Sequence, residues 1–326
     1  MNVLVTGGAG YVGSVATETL LARGHQVVVL DDLRTGHRAA VPDGAAFVLA
    51  DVADPDLVGF AIEEHGVEAI VHFAASSLVG ASMEAPLDYF DNNVGGALRL
   101  WRTALRHGVR KVVVSSTAAL YGTPDVVPIP ETAPLHPESV YGETKWQLER
   151  TLTWLARTAG MGVVALRYFN AAGASATRGE DHRPESHLIP LVLQVAAGRR
   201  PHVAIYGDDY PTPDGTAVRD YVHVEDLAEA HVAALEAVAP GTAQAYNLGN
   251  GQGYSVREVV EVVARVTGRE VATVAAPRRA GDPPVLVADA TAARRELGWT
   301  PRRPDLDRIV ADAWAWYQAH PDGYPS

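Results

Sequence analysis

A glycine-rich turn between a short apolar run and a helical segment most constrains the fold of this chain. Asn2-Val3-Leu4-Val5-Thr6 is typical of a buried strand, and Gly7-Gly8-Ala9-Gly10-Tyr11-Val12-Gly13 follows it directly. Apolar residues then recur with a helical period up to Gly24. Residues 27–30 predict a second buried strand, which ends at Asp31-Asp32. The order strand, glycine turn, helix, strand and acid is typical of a dinucleotide-binding unit.

The chemistry of a dinucleotide explains this order of residues. Glycines allow the backbone to approach a pyrophosphate, and the amino terminus of a helix offers N–H groups and a positive dipole end. Asp31 lies 18 residues after Gly13, where a carboxylate can accept hydrogen bonds from a ribose and repels a 2′-phosphate. We therefore predict NAD rather than NADP, although Arg34 is a residue type that accommodates a 2′-phosphate. The spacing G-x-x-G-x-x-G also differs from the standard G-x-G-x-x-G.

Alternating strand and helix patterns continue through the first half of the 326 residues. Further strands are predicted at residues 47–50, 69–73, 111–114 and 163–168, and the helices between them at 55–64, 86–107 and from 141 onward. This alternation favours an α/β fold, a Rossmann-type doubly wound parallel sheet with a smaller mixed α/β substrate lobe.

The alternating pattern stops near residue 170, and this divides the chain. Residues 171–221 are rich in Gly, Pro, Asp and Arg, whereas 224–238 and 245–248 again predict a helix and a strand. We therefore predict a dinucleotide-binding domain of residues 1–170, to which 222–249 return. Residues 171–221 and 250–326 are predicted to form the substrate lobe.

Tyr141 and Lys145 are four residues apart in Val140-Tyr141-Gly142-Glu143-Thr144-Lys145, on one face of a predicted helix. A phenol with an ordinary pKa near 10 is a poor base at neutral pH. An ammonium at about 4 Å would favour the phenolate by roughly 4 kcal/mol at an effective dielectric of about 20. An isolated pair of this kind is better explained by ring-to-stem packing on the surface, so the rest of the chain has to support a catalytic role. Ser115-Ser116-Thr117, which ends the predicted strand at 111–114, adds hydroxyls where ligands bind in such sheets.

Composition excludes several other classes of function. The formal net charge of −12 argues against general nucleic-acid binding. The absence of cysteine removes disulfides, thiolate metal sites and cysteine nucleophiles, and the 12 histidines include no H-x-x-x-H pair, so no metal site is predicted. No apolar run reaches membrane-spanning length, and the amino terminus lacks an export-type pattern. We therefore expect a cytoplasmic protein.

The glycine turn, Asp31, a strand-end hydroxyl and Tyr141-x-x-x-Lys145 occur in the order of the extended short-chain dehydrogenase/reductase superfamily. The chain resembles this superfamily, and within it the bacterial UDP-sugar 4-epimerases, over nearly its whole length. The matching stretches include residues 3–8, 91–94, 167–170, 208–212, 218–224, 276–282 and 320–325.

The resemblance implies a role for each matched residue. Tyr141 would be the catalytic base, Lys145 would bind the nicotinamide ribose and lower the pKa of Tyr141, and Thr117 takes the place of a catalytic serine. The implied NAD contacts are Gly7, Gly10, Tyr11, Val12, Gly13, Asp31, Asp51, Val52, Phe73, Ala74, Asn92, Asn93, Ser115, Tyr141, Lys145 and Tyr168. The implied UDP-sugar contacts are Thr117, Tyr141, Asn170, His187, Leu188, Tyr206, Arg219, Arg279, Asp282 and Leu286.

The resemblance further implies an isomerase that interconverts UDP-glucose and UDP-galactose. Tyr141 would take the proton of the sugar 4-hydroxyl while hydride passes from C4 to NAD⁺, and the transient 4-keto sugar would receive the hydride back on its opposite face. NAD would therefore stay bound through turnover. In this family, helices corresponding to 88–107 and 141–159 form a dimer interface, so a homodimer is expected.

Several residues depart from the family pattern and leave the substrate open. Ser77 stands where lysine is common, His187 replaces an asparagine near the diphosphate, and Leu286 borders the expected position of the sugar C2 group. A 4-epimerase of a UDP-N-acetylhexosamine, a UDP-uronic acid or a UDP-pentose is therefore an alternative, as is a non-catalytic NAD-binding regulator. A 4,6-dehydratase would need acidic residues after Thr117, where Ala118-Ala119 occur.

Overall fold

A seven-stranded parallel sheet forms the centre of the computed structural model, which describes residues 1–279 and 282–325. Ala280 and Gly281 of the matching stretch 276–282 lie outside the described residues. The strands in spatial order are β3 (Ala46–Leu49), β2 (Gln26–Asp31), β1 (Asn2–Thr6), β4 (Ala69–His72), β5 (Lys111–Thr117), β6 (Gly162–Tyr168) and β10 (Ala243–Leu248). This order reverses direction between β1 and β4, as in a doubly wound fold, and confirms the predicted fold class.

Helices cover both faces of this sheet, which explains why its strands are apolar on both sides. Along β1, Val3 and Val5 pack in the core cluster that includes Leu227, whereas Leu4 packs in the cluster that includes Trp101. The helices are α1 (Tyr11–Ala22), α2 (Pro55–Glu64), α3 (Val79–Glu84), α4 (Pro86–Tyr89), α5 (Ala97–Arg106), α6 (Val140–Ala159), α7 (Leu188–Ala196), α8 (Val224–Ala237), α9 (Val256–Thr267), α10 (Thr291–Glu296) and α11 (Leu306–Ala319).

The long helix predicted for residues 86–107 contains a widened segment. Phe90–Gly96, between α4 and α5, has π-helical hydrogen bonding. Such widened turns are rare and frequently lie at functional sites. Asn92 and Asn93, two of the implied cofactor contacts, are both in this segment.

A second group of strands and helices is built mainly by the later part of the chain. β9 (Val218–His223) pairs with β7 (Asn170–Ala172), β11 (Gly253–Ser255) and β13 (Val285–Leu286). β8 (Val203–Tyr206) pairs with β12 (Thr273–Ala276). Helices α7, α9 and α11 pack together over this region through a separate apolar cluster. The division at residue 170 stays a prediction.

Within residues 1–279 and 282–325, no helix combines the length and the apolar character that crossing a membrane requires.

Candidate active site

The glycine turn is too tight for any residue larger than glycine at two positions. A Cβ on Gly13 would lie 2.2 Å from the carbonyl oxygen of Gly7, and one on Gly7 would lie 2.5 Å from the amide nitrogen of Ala74. Gly7 also has a φ of 74°, which glycine adopts at no steric cost. The sequence therefore brings the turn after β1 into contact with the loop after β4.

The amino terminus of α1 fits an anionic pyrophosphate. Gly10 is the N-cap, and among the described residues no side chain caps this helix end. The N–H groups of Tyr11, Val12 and Gly13 in its first turn therefore have no capping acceptor, while the helix dipole places partial positive charge there. A cradle of backbone donors with no bulky side chain suits NAD, the cofactor implied by the sequence.

Asp31 is held at the end of β2 by the turn itself. One carboxylate oxygen accepts a hydrogen bond from the backbone N–H of Ala9 at 3.0 Å, and the other accepts one from Leu33 at 2.9 Å. Burial raises the pKa of the Asp31 carboxyl above its ordinary value, and these two hydrogen bonds oppose the rise. The geometry thus fixes the carboxylate beside the glycine turn.

Arg34 is bound to acidic and amide groups. Its Nε contacts Asp32, its Nη2 donates to Asn92 Oδ1 at 2.8 Å, and Nη2 lies 3.5 Å from Asp51 Oδ2. An arginine that already has these partners is less suited to a 2′-phosphate, so the contacts favour NAD. Val52, the other implied contact in this loop, packs near Gly96.

Asn93 connects the loop after β4 to α6. Its side-chain amide donates to Ser76 O at 3.0 Å and to Thr144 Oγ1 at 3.1 Å, and its carbonyl oxygen accepts from Ser76 N at 2.8 Å. The N–H groups of Phe73 and Ala74, which begin this loop, donate to the carbonyl oxygen of Thr6. These contacts hold the implied cofactor residues of β1, β4 and the π-helical segment in one place.

Tyr141, Lys145 and Thr117 meet where β5 ends. The Lys145 ammonium is buried and donates to the carbonyl oxygen of Ser115 at 3.0 Å, and it lies 5.9 Å from the centre of the Tyr141 ring. The Thr117 hydroxyl is near enough to the Tyr141 phenol to favour its phenolate and so oppose a rise in its pKa. The Ser115 hydroxyl in turn bonds the phenol of Tyr168. The structure therefore brings the predicted triad together, while the roles of its members stay predictions.

The effect of Lys145 on the pKa of Tyr141 stays a prediction, because other influences on that pKa are larger in the protein alone. Burial raises the pKa of Tyr141 above its ordinary value, with the Thr117 hydroxyl opposing the rise. Burial also lowers the pKa of Lys145 to about 8. Loss of water penalises both charged forms, and the Lys145 ammonium bonds Ser115 instead of the phenol.

The implied nucleotide-sugar residues lie around β9 and β13. Arg219 on β9 forms an ion pair with Asp282, and its Nη1 donates to the carbonyl oxygen of Val218 at 2.8 Å. Leu286 on β13 stands beside Arg219 in the strand register. The Arg279 guanidinium stacks over the Tyr206 ring at 4.0 Å, as Arg–aromatic pairs do. Arg219 and Asp282 were both implied as direct ligands, and the structure pairs them with each other.

Three further implied residues lie close to the strand-and-helix junctions of this region. Asn170 begins β7 and is opposite Tyr221 of β9. His187 is the N-cap of α7, and Leu188 is its first residue. Burial alone would lower the pKa of His187, but the carboxylates of Glu180 and Glu185 raise it to about 10. Contact of Asn170, His187 and Leu188 with a sugar nucleotide remains a prediction.

A buried ion pair behind the triad was missed in the sequence. Glu149 on α6 binds Arg167 on β6 through both carboxylate oxygens, and Ser116 Oγ donates to Glu149 Oε1 at 2.6 Å. Arg167 Nη1 also donates to the phenol of Tyr121 at 3.0 Å. A signal was present, because Tyr141, Lys145 and Glu149 recur every four residues on one helix face.

Comparison with known proteins agrees with this geometry. Residues 3–249 match the model of the NAD dependent epimerase/dehydratase family. A UDP-glucose 4-epimerase of Corynebacterium glutamicum is 52% identical over 319 residues, which are 98% of this chain and 96% of that protein.

Solved structures are similar over the same length. A crystal structure of a UDP-glucose 4-epimerase has a TM-score of 0.96 at 47% identity and covers 100% of both chains. A second, from Stenotrophomonas maltophila with bound NAD and formylated UDP-arabinopyranose, has a TM-score of 0.94 at 43% identity and covers 98% of this chain and 99% of that one. These findings confirm the resemblance seen in the motifs, and the chain belongs to the NAD dependent epimerase/dehydratase family.

Proposed function

We propose that this protein is a UDP-glucose 4-epimerase, an isomerase that interconverts UDP-glucose and UDP-galactose through a transient 4-keto sugar. The meeting of Tyr141, Thr117 and Lys145 at the carboxyl end of β5, two strands from the glycine turn after β1, carries the proposal. A proton acceptor next to a dinucleotide site is what reversible oxidation of a sugar hydroxyl requires.

The cofactor in this proposal is NAD. The uncapped amino terminus of α1 would hold its pyrophosphate and Asp31 its adenosine ribose, with Lys145 at the nicotinamide ribose. When bound, NAD⁺ supplies a reversible hydride acceptor, so the net reaction involves no redox change.

The protein's own residues would move the proton and hold the sugar. Tyr141 would accept the proton of the 4-hydroxyl and return it to the product, and the nearby Thr117 hydroxyl would orient the sugar hydroxyl and the phenol. Arg219 and Arg279 supply the donors that a diphosphate needs, since arginine binds phosphate oxygens in a fork. The stack of Arg279 on Tyr206 offers an aromatic face and a cation together.

Tyr141→Phe is the variant that tests the reaction. Loss of the phenol removes a general base, which is worth about 10²- to 10⁴-fold in rate, while the ring and its packing remain. UDP-glucose and UDP-galactose would be resolved by ion-exchange chromatography after incubation without added NAD, and the nucleotide released on denaturation would be measured in parallel. A rate of epimerisation in the variant equal to that of the wild type would contradict the assignment.

The same assay separates the alternatives. A panel that includes UDP-N-acetylhexosamines, UDP-uronic acids and UDP-pentoses tests whether Leu286 admits a larger C2 group or a different sugar. Leu286 is half-buried and packs against the apolar cluster that includes Phe169 and Ala288, which favours a fixed apolar wall at that position. A non-catalytic regulator would retain NAD and turn over no member of the panel. The cytoplasmic location and a place in galactose metabolism stay predictions.

We also propose a homodimer formed through α3, α4, α5 and α6. Large apolar side chains that are 42–79% exposed lie on these helices: Val79, Met83, Leu87, Leu98 and Trp154. Exposed apolar residues grouped in this way are typical of interfaces. Size-exclusion chromatography with light scattering at micromolar concentration would give twice the chain mass, and a mass of one chain would contradict the proposal.

A further inference from the structure

Two glutamates and two histidines converge between β7 and α7, apart from the Tyr141 triad. One donor atom from each of Glu180, His182, Glu185 and His187 lies within 4.8 Å of all the others. The two carboxylate side chains are only 9% and 8% exposed. Buried carboxylates need compensating positive charge, and this arrangement of imidazole and carboxylate donors is that of a metal site.

The donor atoms lie close enough together to share one ion after small shifts. His187 Nδ1 lies 2.6 Å from Glu180 and 3.2 Å from Glu185, and His182 Nδ1 lies 3.0 Å and 3.9 Å from the same two carboxylates. Zinc binds imidazole nitrogen and carboxylate oxygen at about 2.0–2.2 Å, so the donors of a tetrahedral site are roughly 3.3–3.6 Å apart. Three of the four separations are shorter than this range and one is longer, so the ion would move these side chains, most of all His187 and Glu180.

The orientation of His187 provides a second and independent observation. Its Nδ1 is buried and lies 2.6 Å and 3.2 Å from carboxylate oxygens of Glu180 and Glu185, without the alignment of a hydrogen bond to either. A cation bound by both carboxylates would be within reach of the Nδ1 lone pair once that nitrogen has lost its proton.

We propose that Glu180, His182, Glu185 and His187 bind one Zn²⁺ as a four-ligand structural site. Four protein ligands close the coordination sphere, which is typical of structural and not of catalytic zinc. Two neutral imidazoles and two carboxylates also balance the charge of the ion. The sequence predicted no metal because it lacks H-x-x-x-H, but that spacing applies to ligands on a helix, and these four lie in the segment before α7.

Such a site would stabilise the segment of residues 180–187, which lies between the start of α1 and the start of α7. The His182 ring meets the edge of Tyr11, at the start of α1, with ring centres 6.3 Å apart. His187 leads directly into α7, the helix that begins with Leu188. Zinc would therefore hold the segment at the first turn of α1 while the chemistry remains at Tyr141.

The experiment measures zinc in the full-length protein with any affinity tag removed. The wild type, His182→Ala and Glu185→Gln are each purified from zinc-supplemented cells and passed through a desalting column. Their zinc content is then measured by inductively coupled plasma mass spectrometry. His202→Ala is the matched control, because His202 is exposed and outside the cluster. We expect about one zinc per chain in the wild type and the control, and less than about a tenth of that in the two ligand variants.

A second measurement uses only the wild type and therefore tests the site even if the ligand variants do not fold. Wild-type protein stripped with a chelator is loaded with Co²⁺, and the visible spectrum distinguishes intense tetrahedral absorption from weak octahedral absorption. A tetrahedral spectrum that Zn²⁺ abolishes stoichiometrically supports the site. Zinc at buffer level in the wild type, equal zinc in folded ligand variants, or an octahedral cobalt spectrum overturns it.

Discussion

The ion pair between Glu149 and Arg167 should be the strongest single polar contact behind the active site. Glu149 Oε1 and Oε2 accept from Arg167 Nε at 3.0 and 3.2 Å, and Oε2 also accepts from Nη2 at 2.5 Å. The two side chains are 10% and 7% exposed. Burial lowers the pKa of Arg167, but the hydrogen bonds and charge of Glu149 reverse this and raise it. Each partner therefore depends on the other.

The cost of breaking the pair follows from that dependence. Glu149→Leu leaves the buried Arg167 guanidinium uncompensated, which costs about 3–5 kcal/mol, and deprives the Ser116 hydroxyl of its acceptor for roughly 1 kcal/mol more. Arg167→Met should cost a similar amount, because it leaves the carboxylate unpaired. The double variant removes both charges and should cost far less than the sum, since apolar replacements of buried pairs are often nearly neutral. The expected coupling energy is at least about 3 kcal/mol.

Urea unfolding followed by circular dichroism, at one chain concentration, gives the four free energies of the cycle. Glu149→Gln is the matched control for the charge, because its shape is unchanged and its amide oxygen can still accept from Ser116, while Arg167 loses its compensating carboxylate, so most of the cost should remain. If the losses in the free energy of unfolding of the two single variants add up to that of the double variant, the reasoning is refuted, since independent sites show no coupling. The same samples, assayed for epimerisation, report whether α6 still presents Tyr141.

Two further predictions concern the triad. Thr117→Val should lower the turnover rate by about 10- to 100-fold, because a hydrogen bond to a charged group is worth roughly 1.5–3 kcal/mol. The matched variant Thr117→Ser keeps the hydroxyl and should stay within a few-fold of the wild-type rate. Equal rates in the two variants would contradict a role for the hydroxyl. Lys145→Met should remove a pH dependence of stability. The pKa of Lys145 is about 8 in the folded protein and 10.5 ordinarily, so between these pH values the unfolded chain binds a proton that the folded chain does not. The free energy of unfolding of the wild type, relative to Lys145→Met, should therefore rise by about 3 kcal/mol from pH 7 to 11. If the difference between the urea midpoints of the two proteins does not change over this pH range, the assigned pKa is contradicted.

The parts of the fold that depend on local patterns were predictable from the sequence. The βα alternation through residue 168, the glycine turn and the positions of Asp31 and Thr117 at strand ends follow from periodicity and turn chemistry. The structure lengthens the predicted strand 111–114 to Lys111–Thr117, which places the three hydroxyls on the strand itself. Those features depend on residues close in sequence.

What could not be predicted depends on distant residues and on burial. Arg167 meets Glu149 only when β6 packs against α6, and the separation of 18 residues carries no pairing signal. The π-helical segment at Phe90–Gly96 is likewise invisible in an apolar pattern that fits a regular helix. The burial that raises the pKa of Tyr141 likewise has no part in a prediction made from charge at a fixed distance.

That burial has a consequence for how the site works. At neutral pH the Tyr141 phenol keeps its proton, because the protein raises its pKa and the Lys145 ammonium is turned to Ser115. If Tyr141 is the base, as proposed above, further positive charge in the site would favour its phenolate, and the oxidised nicotinamide of NAD⁺ would supply such charge whereas the reduced form would not. On the proposed mechanism, proton abstraction by Tyr141 would therefore depend on the oxidised cofactor.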